Sequence, residues 1–195
     1  MLLVALSTPL PASDLYLLGA IGRSRFDVAQ GAIDNVVLKK AGAQEIISTT
    51  DVRDTGYKIQ LGYRFNPYLA IEGGYVDLGN ATYAARFNGG SAEVTIKAHG
   101  INAAVLGMLP VNDSFTLFGK LGVINAKAET DLRTTGLSAL VKSTNLRANA
   151  GIGATYDLGN NLSGRFEYEA FYKLGDSQGG TERVGLWSIG IQFKF

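Results

Sequence analysis

The sequence predicts an all-β chain, an eight-stranded antiparallel up-and-down β-barrel that crosses a membrane with its strands. Three observations carry this expectation. Large apolar residues alternate with small or polar ones in segment after segment, the period-two code of a strand between unlike media. The segments number eight, and the connections between them are alternately long and short. The less apolar face of the strands is built from Gly, Ala, Ser and charges of both signs, where the exterior of a water-soluble barrel would need more Lys and Glu.

The clearest element is the last. In 186–195, Trp187, Ile189, Ile191, Phe193 and Phe195 fall on one side and Ser188, Gly190, Gln192 and Lys194 on the other. The first strand starts at Leu15, with Leu17, Gly19 and Ile21 outward against Tyr16, Leu18, Ala20, Gly22 and Ser24 inward. Periodicity is lost over 27–53, which reads as a long loop in which Ile33, Val36 and Val37 have the spacing of a helical turn. Strand two, 55–65, sets Tyr57, Ile59, Leu61, Tyr63 and Phe65 against Gly56, Lys58, Gln60, Gly62 and Arg64. Asn66-Pro67 ends it, because proline fixes its φ and has no N–H for a ladder, and strand three resumes with Leu69, Ile71, Gly73 and Tyr75. The remaining strands are expected at 94–109, 115–128, 143–156, 162–172 and 184–195. Long connections are then 27–53, 83–93, 129–142 and 173–183, and short ones 66–67, 110–114 and 158–161. Tight turns gather at one rim and larger loops at the other, and each strand reaches the roughly 9 to 11 residues that cross an apolar core.

Composition sets the outer limits. The 195 residues, 46% hydrophobic, suit one domain. With 25 Gly, 9 Tyr, 9 Phe and only 4 Pro, the chain has a β-rich composition. A net charge of +1 gives no basic field for nucleic acid. The absence of cysteine removes disulfides, thiolate zinc sites and cysteine nucleophiles. Lacking an apolar run of about 18 residues, the chain can span a membrane only with strands. Residues 1–12, MLLVALSTPLPA, have the apolar core of a secretory signal without a preceding Lys or Arg and are expected to be a signal remnant, so that 13–195 form the barrel domain.

Several segments carry a family resemblance. YRFNPYLAIEGGYVDLG (63–79) resembles the second hairpin of the OmpA-type eight-stranded outer-membrane barrel, and GINAAVLGMLP (100–110), LFGKLGV (117–123), GATYDL with SGRFEYE (153–169) and the closing IGIQFKF extend the likeness over most of 15–195. The resemblance implies a Gram-negative outer-membrane location, without enzymatic activity or cofactor. It implies contact with outer-membrane lipid and lipopolysaccharide, and a monomer with an unspecified loop-binding partner. It also implies a terminal strand, Trp187 to Phe195, that is read by the barrel-insertion machinery. Members of the family often continue into a periplasmic peptidoglycan-binding domain; because this sequence stops at Phe195, cell-wall anchoring is not expected of it.

The inward face carries Lys58, Glu72, Lys120, Arg147, Arg165, Glu167 and Glu169, with Arg64, Asp157 and Lys194 near the tight-turn rim. Counted from the turns, Glu72, Lys120, Arg165 and Glu167 share a level. A charge inside a barrel is costly unless paired, so these four are expected to form one ionic network, structural or pore-restricting, with Glu72 to Arg165 as its first pair and Lys58, Arg147 and Glu169 as further members. Glu72, Arg165 and Glu167 fall where the family holds interior charges, and Lys120 matches a basic position. Leu106 and Thr155 fall where the family's best-known form has a second interior ion pair, and this departure argues against carrying over gating by exchange of partners.

Other chemistry finds little footing. His99 is the only histidine and has no Ser and acid around it, so lipid modification is a minor alternative. Glu167 and Glu169 follow one another along a single strand face among bases. Asp157 to Asn161, DLGNN, is a turn without calcium-loop spacing, and GAIG at 19–22 lacks a phosphate-loop pattern. No metal site is expected. A small outer-membrane porin and a soluble ligand-binding barrel remain the other readings. Outward aromatics at strand ends, among them Tyr63, Phe65, Tyr156 and Tyr172, favour the membrane.

Overall fold

The computed structural model describes residues 15–27, 46–51, 53–87, 90–134, 137–173 and 183–195. These form β1 (Leu15–Asp27), β2 (Ile46–Asp51), β3 (Arg53–Asn66), β4 (Leu69–Phe87), β5 (Gly90–Pro110), β6 (Phe115–Thr134), β7 (Leu137–Gly159), β8 (Leu162–Tyr172) and β9 (Arg183–Lys194). Every ladder is antiparallel, and the β4–β5 and β1–β9 pairings close the sheet into a ring. The short β2 continues, along the upper part of β4, the ladder that β3 makes along its lower part. The barrel therefore has eight staves, and no helix occurs among the described residues.

The turns at one rim are fixed by local chemistry. At Pro67-Tyr68 the Asn66 side chain accepts from the Tyr68 N–H at 2.8 Å. Asn112 does the same for Ser114 at 3.0 Å and Phe115 at 2.8 Å. Asn160 and Asn161 take φ of 53° and 64°, the left-handed pair of a two-residue hairpin, which asparagine tolerates better than most residues.

At the other rim the expected loops need correction. Residues 83–93 and 129–142 are not long connections: β4 runs to Phe87 and β5 starts at Gly90, while β6 runs to Thr134 and β7 starts at Leu137. Strands β4 to β7 thus reach 19 to 23 residues, about twice what a membrane crossing needs. Beyond the membrane there is no longer a lipid face to code for, so the hydrophobic alternation fades while the backbone ladder continues. The loop expected at 27–53 contains β2, and the helical turn expected at Ile33 to Val37 and the signal expected at 1–12 lie outside the described residues.

Candidate functional site

The alternation of the strands places one set of side chains inside the ring and the other outside. Outside are exposed apolar residues on every stave, such as Leu17, Ile59, Ile71, Ile101, Leu121, Ile152, Phe166 and Ile189. On β9 the outward column is Trp187, Ile189, Ile191, Phe193 and Phe195, all exposed, with Phe193 and Phe195 edge to face at 5.4 Å and the Phe195 N–H bonded to the Leu15 carbonyl at 3.1 Å. His99 also faces outward, half-buried opposite Asp77 and Lys127, with its ring 6.1 Å from that of Tyr75. Among the described residues no group of His, Cys, Asp and Glu is arranged to hold a metal ion.

Inside, an eight-stranded barrel is only a few side chains wide, so each long charged residue needs a small neighbour on the next stave. The register supplies it: Glu72 lies opposite Gly62, Lys120 and Glu169 opposite Gly151, Glu167 opposite Gly153, and Arg165 opposite Gly190. Two of these glycines also lie beneath an aromatic ring from the adjoining stave, Tyr16 opposite Gly62 and Phe118 opposite Gly153. A Cβ at Gly62 would lie 2.1 Å from the Tyr16 ring, and one at Gly153 would lie 2.3 Å from that of Phe118.

In that space six charged side chains meet, all nearly inaccessible to solvent. Arg165 grips Glu72 in a two-pronged pair, Nη1 to Oε1 and Nη2 to Oε2, and its Nη2 also reaches Glu167 at 3.0 Å. Lys120 sits between all three carboxylates, 3.2 Å from Glu72, 3.2 Å from Glu167 and 2.9 Å from Glu169. Lys58 donates to Glu167 at 2.7 Å and closely to Glu169. Three carboxylates thus face three cations, and the cluster is electrically balanced. Balance and multiple bonding are what make such burial tolerable, since an uncompensated ion in this setting costs several kcal/mol. Arg147 lies higher on the same face of β7, level with Ile124, and Arg64 and Lys194 are half-buried near the turn rim.

Uncharged partners complete the layer. The Tyr16 hydroxyl donates to Glu72 at 2.7 Å, Lys120 donates to Gln60 Oε1 at 3.2 Å, Gln60 donates to Asn102 at 3.2 Å, and Asn149 donates to Glu169 at 3.3 Å. The Arg165 guanidinium lies over the Phe118 ring at 4.2 Å. Sequence reasoning did not assign these residues to the cluster, although Tyr16 and Gln60 have inward parity; a signal existed in the polar residues at inward positions. It also missed a second layer. Toward the loop rim Phe26, Val76, Leu78, Ile124, Phe171, Val184 and Leu186 form a buried apolar cluster inside the ring, readable only as large apolar residues at inward parity. Ala70, Ala104, Leu106 and Phe118, joined by Met108, form a smaller apolar cluster toward the turns.

A closed antiparallel ring with a greasy outer belt and balanced charges buried within defines a class, the transmembrane β-barrels of Gram-negative outer membranes. Residues 11–195 match the model of the OmpA-like transmembrane domain, and the chain belongs to that family. Outer membrane protein A of Serratia marcescens is 29% identical over 139 residues, covering 69% of this chain and 38% of that protein. Its counterpart from Klebsiella pneumoniae is 27% identical over 138 residues, covering 69% and 39%. The chain thus spans well under half the length of these relatives. Among solved structures, Neisserial surface protein A superposes with a TM-score of 0.58 at 14% identity, covering 93% of this chain and 97% of that one. OprG of Pseudomonas aeruginosa gives 0.54 at 15% identity, covering 94% and 96%, and Ail of Yersinia pestis 0.52 at 16%, covering 93% and 99%. These likenesses bear on fold. The chain is an outer-membrane β-barrel protein of the Gram-negative envelope.

Proposed function

We propose that this barrel is a non-enzymatic structural protein of the envelope that does not conduct ions and that holds its loop-side strands out from the membrane as a surface for other molecules. The observation that carries this is the stacking of two buried layers in one lumen, the balanced cluster of Glu72, Glu167, Glu169, Lys58, Lys120 and Arg165 below and the apolar cluster around Phe171 and Leu186 above. A hydrated ion crossing the barrel would have to part a buried ion network and then an apolar layer, each unfavourable. The terminal column from Trp187 to Phe195 supports recognition by the insertion machinery, and the outer belt supports contact with outer-membrane lipid and lipopolysaccharide by a monomer.

The experiment is conductance in planar bilayers with the purified, folded protein. No discrete steps are expected. Reproducible steps would replace this reading with that of a small porin, for which the polar lumenal residues Gln60, Asn102 and Asn149 are the favourable observation.

A further inference from the structure

The lumen has a turn-side end that the ion cluster does not fill. Arg64 lies two residues before the Asn66 end of β3, Tyr16 and Ser163 each stand second in their strands, and Lys194 closes β9, so all four belong to the turn rim. The register gathers them on one wall. Lys194 lies opposite Tyr16, Tyr16 opposite Gly62 one inward step from Arg64, and Ser163 opposite Gln192 one inward step from Lys194. Ser163 and Gln192 are buried, while Arg64 and Lys194 are half-buried.

The two cations of this wall lack what every cation of the cluster has. Among the described residues no carboxylate pairs with Arg64 or Lys194, and Arg64 Nε is buried without a hydrogen-bond partner. Asp113 and Asp157, the acids of this rim among the described residues, are exposed, and Asp157 Oδ1 already accepts from the Gly159 N–H at 2.8 Å. Arg165 adds a second unused donor. It is only 4% exposed, its Nη groups go to Glu72 and Glu167, and its Nε is buried and unbonded. A buried N–H without an acceptor and a half-buried cation without a counter-charge are both unfavourable, and one anion relieves both.

The size and shape of the space narrow the choice of anion. Tyr16 turns its hydroxyl to Glu72, and the Arg165 guanidinium lies over Phe118, so the neutral ion cluster forms a blind end. The facing wall is the small apolar cluster around Leu106 and Phe118. An eight-stranded barrel leaves a width of only a few side chains. A guanidinium, an ammonium, a hydroxyl and an amide on one side of so narrow a space suit a compact oxyanion with several acceptor oxygens.

We infer that the turn-side end of the lumen is a binding site for phosphate, free or as the end of a monoester entering from the periplasmic rim, held by Arg64 and Lys194 beside Ser163 and Gln192.

The test titrates the full folded chain in nonionic detergent, at constant ionic strength, with inorganic phosphate and in parallel with glycerol phosphate, following phosphorus NMR line width and the heat of binding. Saturable binding is expected. Preference for the inorganic ion assigns the site to free phosphate, and equal affinity assigns it to the phosphate end of an ester. Arg64→Gln and Lys194→Gln should each weaken binding about ten-fold, the loss of one charge-assisted contact. Arg23→Gln, which changes an exposed arginine on the outside of β1 toward the opposite rim, should bind like the parent. Heat-dependent gel mobility verifies that each variant is folded. Absence of saturable binding to either probe overturns the proposal, as does parental affinity in folded Arg64→Gln. An equal loss in Arg23→Gln also overturns it, since the anion would then be responding to diffuse surface charge.

Discussion

Glu72 shows what a single residue does in this interior. Its carboxylate takes Arg165 on both oxygens, Lys120 at 3.2 Å and the Tyr16 hydroxyl at 2.7 Å, with no accessible surface on its side chain. Removing it leaves three buried cations, the Arg165 guanidinium and the Lys58 and Lys120 ammoniums, to share the two remaining acids. Glu72→Ala should therefore lower stability by on the order of 3 kcal/mol, read as a lower unfolding midpoint in detergent. A hydrophobic replacement of both partners, Glu72→Leu with Arg165→Met, should cost less than the sum of the two single changes, because neither charge is then stranded. Additive losses in that double-variant cycle would show that the two groups are held independently.

At the level of the element, each strand is a decision about which medium its faces meet, and that decision was legible where the two media differ. Within the membrane, the parity of Tyr57, Ile59 and Leu61 against Lys58, Gln60 and Gly62 fixed both face and strand. The tight turns fixed the height at which Glu72, Lys120, Arg165 and Glu167 stand. Inward parity put Lys58, Glu167 and Glu169 in the interior network, but which acids Lys58 takes was not legible, because that pairing crosses the lumen between non-neighbouring staves and depends on the stagger of the closed ring. The upper halves of β4 to β7 were hidden for another reason: a ladder in water is held by backbone bonds that leave no hydrophobic period in the sequence. The outward face is testable on β9. Ile191→Lys puts an ammonium near mid-membrane and should cost roughly 2–4 kcal/mol, while Lys194, at the rim, should accept glutamine with little change. Equal tolerance at both positions in a lipid-vesicle unfolding titration would mean that the β9 column does not face acyl chains.

For the molecule as a whole, the proposed closed lumen has its two layers acting in series, and this makes a prediction that neither layer makes alone. Phe171 and Leu186 are fully buried in the upper layer, and the six charges lie beneath them. Phe171→Ala opens a cavity and should lower stability by about 3–5 kcal/mol, as large-to-small changes in a packed core do. It should still give no conductance, because the ion network below remains closed. Opening the lower layer alone, by Lys58→Ala with Glu167→Ala, should likewise leave the membrane silent, since the apolar layer excludes water. Only the combination should produce steps in planar bilayers. Conductance from Phe171→Ala by itself would mean that the ion cluster is permeable and that the apolar layer is the sole barrier. Conductance from the lower pair alone would assign the barrier to the charges. Silence in all three folded variants would assign a remaining obstruction to the smaller apolar cluster of Ala70, Ala104, Leu106 and Phe118 toward the turns.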